Sequence, residues 1–320
     1  MNAIDVKDVK NANHKIRQHI KKTPLKRSHF FSSLCGGNIY LKLENHQITA
    51  SFKIRGALNK MLRLTEEDKA KGVITASAGN HAQAVAICAE KLDLNAKIVV
   101  PKTTPRKKID KIKKHDVELM LYGETYDEAE QKAISLAKEE NRTYISPYND
   151  KLIIAGQGTI ALEILENLPE VDVILVPVGG GGLISGIGTV IKNKNPAIKL
   201  IGVQSDASPV MYESLKAGEI VDVTIKDSIA DGLSGGIEKG SVTFEMVQKY
   251  VDEIILAKEN TIRKAIKLLW KNEKEISEGA GAVGLAAILD NKERFKDKTT
   301  VVVISGGNID DDIFQKIINQ

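Results

Sequence analysis

Four consecutive glycines, Gly179, Gly180, Gly181 and Gly182, separate the apolar run at 173–178 from a second apolar segment that opens at Leu183. An apolar run of that length with no polar alternation reads as a strand buried on both faces, and such strands belong to parallel sheets with helices packed on them. A strand, a glycine loop and a helix N-terminus in succession present free backbone N–H groups to an anion. With no Cβ at any of the four positions, nothing blocks close approach. A flexible strand-to-helix turn needs one or two glycines, so four in a row point to a phosphate cradled by backbone N–H groups. The loop is not the dinucleotide fingerprint, because counting G-x-G-x-x-G from Gly179 puts the last glycine on Ile184. Nor is it a P-loop, since no Lys-Ser or Lys-Thr pair follows.

The rest of the chain repeats the strand-helix alternation. An amphipathic helix is expected over 5–20, ended by Thr23-Pro24, and a strand over 38–44. A helix over 52–63 follows, with Ser51 as its N-cap. Strands at 73–76, 96–100, 117–121 and 143–145 then alternate with helices at 81–91, 105–115 and 126–139. After the turn Tyr148-Asn149-Asp150 the alternation restarts, with strands at 173–178, 200–204, 253–256 and 300–305. The expected fold is therefore α/β, with two open, mostly parallel twisted sheets and helices on both faces. A small domain over 66–148 would be inserted in a large domain formed by 1–65 and 149–320.

At 320 residues the chain is long enough to bury a large core, and 42% hydrophobic with 28% charged residues is ordinary for a globular protein. The net charge of +4 does not predict a nucleic-acid partner. The basic run Lys102, Arg106, Lys107, Lys108, Lys111, Lys113 and Lys114 reads as a solvated helix face, without the aromatic residues that stack on bases. Cys35 and Cys88 form no metal-type or C-x-x-C pair. Cys88 sits in an apolar run and reads as an inert buried thiol, in keeping with a reducing cytoplasm. The opening MNAIDVKDVK has no apolar h-region, so no signal peptide is expected. No apolar run approaches the ~20 residues of a membrane helix, so no membrane partner is expected either. The six histidines show no ligand spacing; His14 and His19 read as neighbours on a surface helix, and no metal is expected.

Two further segments carry chemistry. Ser77-Ala78-Gly79-Asn80-His81 lies between a strand and a helix, where small residues leave N–H groups and a hydroxyl for a second anion such as a carboxylate. Ser51-Phe52-Lys53-Ile54-Arg55-Gly56 puts a lysine beside an aromatic ring. A lysine in an enclosed site loses its proton readily and forms imines. Ser305-Gly306-Gly307-Asn308 ends the last strand. Open α/β sheets bind ligands beyond the carboxyl ends of their strands, so these loops and Lys53 could converge in one cleft. An imine-forming lysine with a phosphate nest is the outline of a pyridoxal phosphate site.

Taken together, Leu41-Lys42-Leu43-Glu44-Asn45, the segments already quoted, Ala155-Gly156-Gln157-Gly158-Thr159, Ala230-Asp231-Gly232 and Glu278-Gly279-Ala280-Gly281-Ala282 resemble the fold-type II pyridoxal phosphate enzymes, which share the tryptophan synthase β-like fold. The similarity is greatest to the biodegradative-type threonine dehydratases and the related serine racemases, and it spans almost the whole chain. The resemblance implies that Lys53 carries the cofactor as an imine and that Phe52 packs by its ring. It places the phosphate on the four glycines with Leu183, Asn80 on the 3′ oxygen and Ser305 on the ring nitrogen. Ser77, Ala78, Gly79, Asn80 and His81 would hold the substrate carboxylate. Lys53 would take the α-proton, and the β-hydroxyl would leave as water, giving a 2-oxo acid and ammonia. The implied substrate is an amino acid, L-threonine first and L-serine beside it, and the implied assembly is a homodimer or homotetramer.

Three departures matter. Related serine racemases carry a second serine where this chain has Ala78, and a methyl group cannot pass a proton. Their cation ligands would fall at Gln204 and Val210, neither a carboxylate. Ser234-Gly235-Gly236-Ile237-Glu238 differs from the usual dehydratase text near the substrate side chain, which leaves serine, 3-hydroxyaspartate or another β-hydroxy amino acid open. The chain ends soon after Ser305–Asn308, so the regulatory extension of biosynthetic threonine dehydratases, with its isoleucine feedback, is not expected. Two other classes share parts of the pattern. A nicotinamide-dependent oxidoreductase would be colourless and bind NADH. A silent amino-acid sensor would release no 2-oxo acid.

Overall fold

The computed structural model describes residues 4–319. The first three residues of the N-terminal stretch read above for a signal peptide lie outside them. Among the described residues, ten strands form two sheets. They are β1 (Leu25–Arg27), β2 (Asn38–Leu43), β3 (Val73–Ala76), β4 (Ala96–Val100), β5 (Glu118–Leu121), β6 (Thr143–Tyr144), β7 (Val173–Pro177), β8 (Lys199–Ser205), β9 (Glu253–Ala257) and β10 (Thr299–Ile304). The larger sheet has the order β1-β2-β10-β7-β8-β9 and the smaller the order β5-β4-β3-β6. Only β1 runs antiparallel, against β2; every other pair is parallel. The expected pair of mostly parallel sheets is therefore present. The strands of the smaller sheet all fall between Val73 and Tyr144, and the larger sheet takes strands from both sides of that span.

The last strand of the chain lies at the centre of the larger sheet. β10 pairs Thr299 to Ile304 with Asn38 to Leu43 on one side and Thr300 to Val302 with Val173 to Leu175 on the other. Every residue of its TTVVVI run after the first is buried, which suits a strand covered by helices on both faces. One core cluster packs on each face of this sheet: Ile174, Val176, Val301 and Val303 face one, and Leu175, Val302 and Ile304 the other. The consequence for function is that Ser305 emerges from the middle of the sheet beside the loop that follows β7.

The helix Lys53–Met61 begins where the chain leaves that central edge. The expectation that Ser51 caps it is overturned. Phe52 stands at the N-cap with no side-chain cap bond, while Ser51 forms an isolated antiparallel bridge with Gly306. Phe52 N donates to Ser305 O at 3.1 Å, so the backbone before Lys53 is tied to the end of β10 rather than free to cap a helix. The helix lies almost against helix Lys151–Asn167: a Cβ on Gly156 would stand 2.6 Å from Gly56 Cα and 2.5 Å from Arg55 O. Two facing glycines permit this approach, and it fixes the height of Lys53 above the sheet.

Other boundaries also differ. The first helix runs Val6–Ile16 rather than 5–20, because its buried face, Val9, Ala12 and Ile16, ends there; His19 lies outside it. Strand β1 and the helices His29–Cys35, Glu66–Lys71, Val242–Tyr250 and Asp311–Asn319 had not been expected. Both cysteines are free and buried, and burial pushes the Cys88 thiol up to about 12, as an inert thiol requires. No described helix is long and apolar enough to cross a membrane.

Candidate active site

A cavity of about 410 Å³ opens between the two sheets, at loops that follow the carboxyl ends of β3, β7 and β10. Every residue singled out from the sequence as a site residue lines it: Phe52 and Lys53, the five residues from Ser77 to His81, the four glycines with Leu183, and Ser305.

The glycine loop leads directly into helix Gly182–Lys194, whose N-cap, Gly181, has φ +87°, a conformation natural to glycine. Gly180 turns its carbonyl away from the loop, accepting from Thr243 Oγ1 at 2.6 Å. A Cβ at Gly180 would stand 2.6 Å from the ring of Tyr148, which also lines the cavity. Tyr148 is held in turn, because its hydroxyl oxygen accepts from Glu238 N at 2.9 Å. The loop is thus wedged between Thr243 and Tyr148, with the first-turn N–H groups of the helix lacking intrahelical partners. It is held in place with N–H groups free for an anion, and it is not a slack turn.

Lys53 Nζ donates to Pro147 O at 2.8 Å and lies 5.2 Å from the centre of the Phe52 ring. Burial lowers its pKa to about 8, against the opposing pull of the Glu278 carboxylate. A larger fraction of neutral amine is therefore available near physiological pH than an ordinary lysine offers, as imine chemistry needs. Ser305, at the end of the central strand, is 3% exposed. Gln157 is buried on the cavity wall, and its Oε1 has no partner among the described residues.

The Ser77 loop opens helix Asn80–Leu92, with Gly79 at its N-cap and no side-chain cap. The His81 ring faces away from this anion-binding end. Its Nε2 lies 2.9 Å from Ile145 O, and since a carbonyl only accepts, Nε2 carries the hydrogen. Burial, reinforced by Lys53, pushes the imidazole down to about 3. His81 is therefore neutral, and its ring offers a carboxylate neither charge nor donor; only its backbone N–H remains for that purpose.

Two features of the site were not foreseen. Three members of the basic run, Lys107, Lys108 and Lys111, line the cavity instead of facing solvent alone. Lys108 reaches Asp231 at 2.7 Å and Lys107 reaches Asp310 at 3.3 Å and Asp312, so the helix Arg106–Ile112 bridges to the larger-sheet lobe. The fold sets acidic partners opposite the cationic face, a pairing that helical spacing alone does not reveal. The second is Glu278, buried on the cavity wall, where burial and then Asp231 push its carboxyl up to about 7. A single carboxylate directly before the apolar run Gly279 to Leu289 was the available signal, and it was quoted only as part of a matching segment.

Residues 16–306 match the family described as pyridoxal-phosphate dependent enzyme. The chain is 46% identical over 99% of its length, and 79% of the relative's, to the L-threonine ammonia-lyase of Thermotoga maritima. Among solved structures, the processed form of threonine deaminase isoform 2 from Solanum lycopersicum is 36% identical, with a TM-score of 0.90 over 99% of this chain and 94% of that one. Maize serine racemase is 32% identical with a TM-score of 0.93 over 99% and 98%.

Proposed function

The chain belongs to the pyridoxal-phosphate-dependent enzymes, and from that premise we propose that it eliminates water from a β-hydroxy amino acid and that the resulting enamine takes water back as it releases ammonia, L-threonine giving 2-oxobutanoate, with L-serine giving pyruvate as a further activity. Relatives named for threonine dehydration or deamination support the choice of substrate. The observation that carries the reading is a lysine amine with its pKa lowered to about 8 in the same cavity as a wedged four-glycine anion cradle.

The residues present fit the cofactor. The glycine loop and Leu183 would take its phosphate, Lys53 its aldehyde carbon, Asn80 its 3′ oxygen and Ser305 its ring nitrogen, with Phe52 beside the ring. When bound, pyridoxal phosphate supplies an aldehyde that joins amines and a ring that accepts the electron pair left at an α-carbon. The backbone N–H groups and hydroxyl of the Ser77 loop orient the substrate by its carboxylate, a task in which the His81 ring takes no part. Lys53 Nζ, in its neutral form, takes the proton from the α-carbon as general base. A serine hydroxyl facing the ring nitrogen does not protonate it as a carboxylic acid would, which favours prompt departure of the β-substituent. Ala78 lines the cavity with a methyl group that cannot return a proton from another side, and this argues for elimination over racemisation.

The enzyme is read as acting in the cytoplasm as a homodimer or homotetramer, a reading supported by its two free buried thiols and by family precedent respectively. The test is a panel of β-hydroxy amino acids, including serine and 3-hydroxyaspartate, assayed for 2-oxo acid with Lys53→Ala as control. Threonine should lead the panel and Lys53→Ala should be silent. Full turnover by Lys53→Ala would refute the assigned base, and a preference for 3-hydroxyaspartate would refute the substrate.

A further inference from the structure

Three side chains from distant parts of the sequence form one hydrogen-bond relay on the cavity wall. Asn308 Nδ2 donates to Asn80 Oδ1 at 2.7 Å, and Asn80 Nδ2 donates to Glu278 Oε1 at 2.6 Å. Asn308 is itself anchored, donating to Thr49 O at 2.9 Å. The two ends of an amide have nearly the same shape and opposite hydrogen-bonding character. Here a donor on one side and a carboxylate on the other decide which way Asn80 points. The reverse orientation would set Oδ1 against the Glu278 carboxylate and an N–H against the Asn308 amide. Asn80 Nδ2 has two hydrogens, one of which the Glu278 bond uses, so the other is left to a ligand in the cavity.

We propose that Glu278 is a positioning residue for the cofactor, acting through Asn80: together with Asn308 it fixes the Asn80 amide so that its second Nδ2 hydrogen is kept for the 3′ oxygen of pyridoxal phosphate. The proposal rests on the reading of the cavity given above. It makes the site sensitive to the protonation of one buried group. Hydrogen bonds to a charged acceptor are stronger than those to a neutral one, so uptake of a proton by Glu278 loosens the anchor. The charged groups facing Glu278 come from three other elements: Lys53 on its helix, Asp231 on the short turn Asp231–Leu233, and Lys108 on the small-sheet helix. Burial and Asp231 favour the neutral acid, and the Asn80 hydrogen bond, Lys108 and Lys53 oppose them, which brings the carboxyl to about 7. The Asn80 amide is thus held firmly above neutrality and loosely below it.

The experiment uses Glu278→Gln and Glu278→Ala, with visible absorption of the bound cofactor followed across neutral pH and cofactor affinity measured by titrating the apoenzyme. The wild-type spectrum should change in one transition near the value of about 7. Glu278→Gln keeps a neutral acceptor for Asn80 and cannot titrate, so its spectrum should not respond to pH and should match the wild-type form below neutrality, while cofactor binding stays tighter than in Glu278→Ala. Glu278→Ala should weaken cofactor binding about ten-fold or more, the scale of a lost hydrogen bond to a charged group. In an Asn80→Ala background neither Glu278 substitution should add to the effect. A transition that survives in Glu278→Gln overturns the proposal, as does a full Glu278 effect without Asn80. Wild-type apoenzyme that takes up no cofactor would instead refute the reading of the cavity. If Glu278→Ala fails to fold, the Glu278→Gln spectrum alone decides.

Discussion

At the scale of single residues, Lys53 shows how a requirement of the proposed chemistry is written into stability. Its amine titrates at about 8 in the folded protein against 10.5 for an ordinary lysine, chiefly through burial. Below the folded value both folded and unfolded states carry the proton, and the folded apoprotein bears the full desolvation penalty. Between the two values the folded state loses its proton first, so stability rises with pH there. The penalty is about 3 kcal/mol at ~1.4 kcal/mol per pH unit. Lys53→Met apoprotein should therefore be at least as stable as wild type at pH 7, with the difference shrinking as pH rises toward 10.5, followed by urea denaturation of both apoproteins. A wild type that loses stability against Lys53→Met over that interval would contradict the burial argument. The glycine cradle gives a second prediction. Gly180→Ala drives a methyl to 2.6 Å from the Tyr148 ring, which Glu238 holds in place, whereas Gly179→Ala meets Leu233 Cα at 3.3 Å and needs a shift of only a few tenths of an ångström. Overpacking of the first kind costs about 1–3 kcal/mol. Cofactor affinity measured by titration of the apoenzyme should fall about ten-fold or more for Gly180→Ala and much less for Gly179→Ala.

At the scale of elements, the helix that carries Lys53 is held by a wholly buried ion network. Arg55 Nε meets Glu44 Oε2 at 2.8 Å and Arg55 Nη1 meets Glu163 Oε1 at 2.7 Å, while Lys42 Nζ bonds the other Glu163 oxygen. Strand β2, the turn after it, helix Lys53–Met61 and helix Lys151–Asn167 are joined at this point. Burial works against the Glu163 carboxylate, but Arg55 and Lys42 outweigh it and hold the group below its usual range. Glu163→Gln would leave two cations facing one carboxylate, and breaking a buried network in this way costs about 3–5 kcal/mol. The urea midpoint should fall accordingly, and adding Lys42→Met should recover part of the loss because the surplus cation is gone. None of this was legible in the sequence, where Lys42, Glu44, Arg55 and Glu163 look like surface charges on a strand, a turn and two helices. Periodicity did reveal β3, β4, β7 and β10, whose apolar runs have one reading. It could not reveal helix Glu66–Lys71, which buries no residue and is signalled only by the Thr65–Asp68 capping box. Strand β1 escaped because one half-buried and two exposed residues carry no pattern. The cavity residues proposed to bind through backbone and glycine were legible, because such chemistry lies in local spacing. Glu278 was not, because its role comes from burial opposite Asn80, far away in sequence.

At the scale of the whole molecule, the cavity lies between two sheets, and what spans it decides how readily it opens. The side-chain links from the small-sheet lobe to the rest differ in kind. Asn80 bonds to Glu278 and Asn308 on the cavity wall, where both bonds are partly buried. Lys107 and Lys108 reach Asp310, Asp312 and Asp231 at the rim, where the lysine side chains are 60% and 42% exposed. Exposed pairs contribute only about 0–1 kcal/mol each, and salt weakens them as the screening length contracts from ~10 Å at 0.1 M to ~3 Å at 1 M. The inner bonds are screened far less. Raising ionic strength should therefore loosen the rim while leaving the inner relay intact, so KM for threonine should rise about two- to five-fold with little change in kcat, the span expected from two such pairs. Lys107→Ala with Lys108→Ala should start at the raised KM and show little further salt response. A double variant that keeps the wild-type salt dependence would place the control of opening elsewhere. A parallel fall in kcat would mean that the rim lysines take part in the chemistry instead of holding the lobes together.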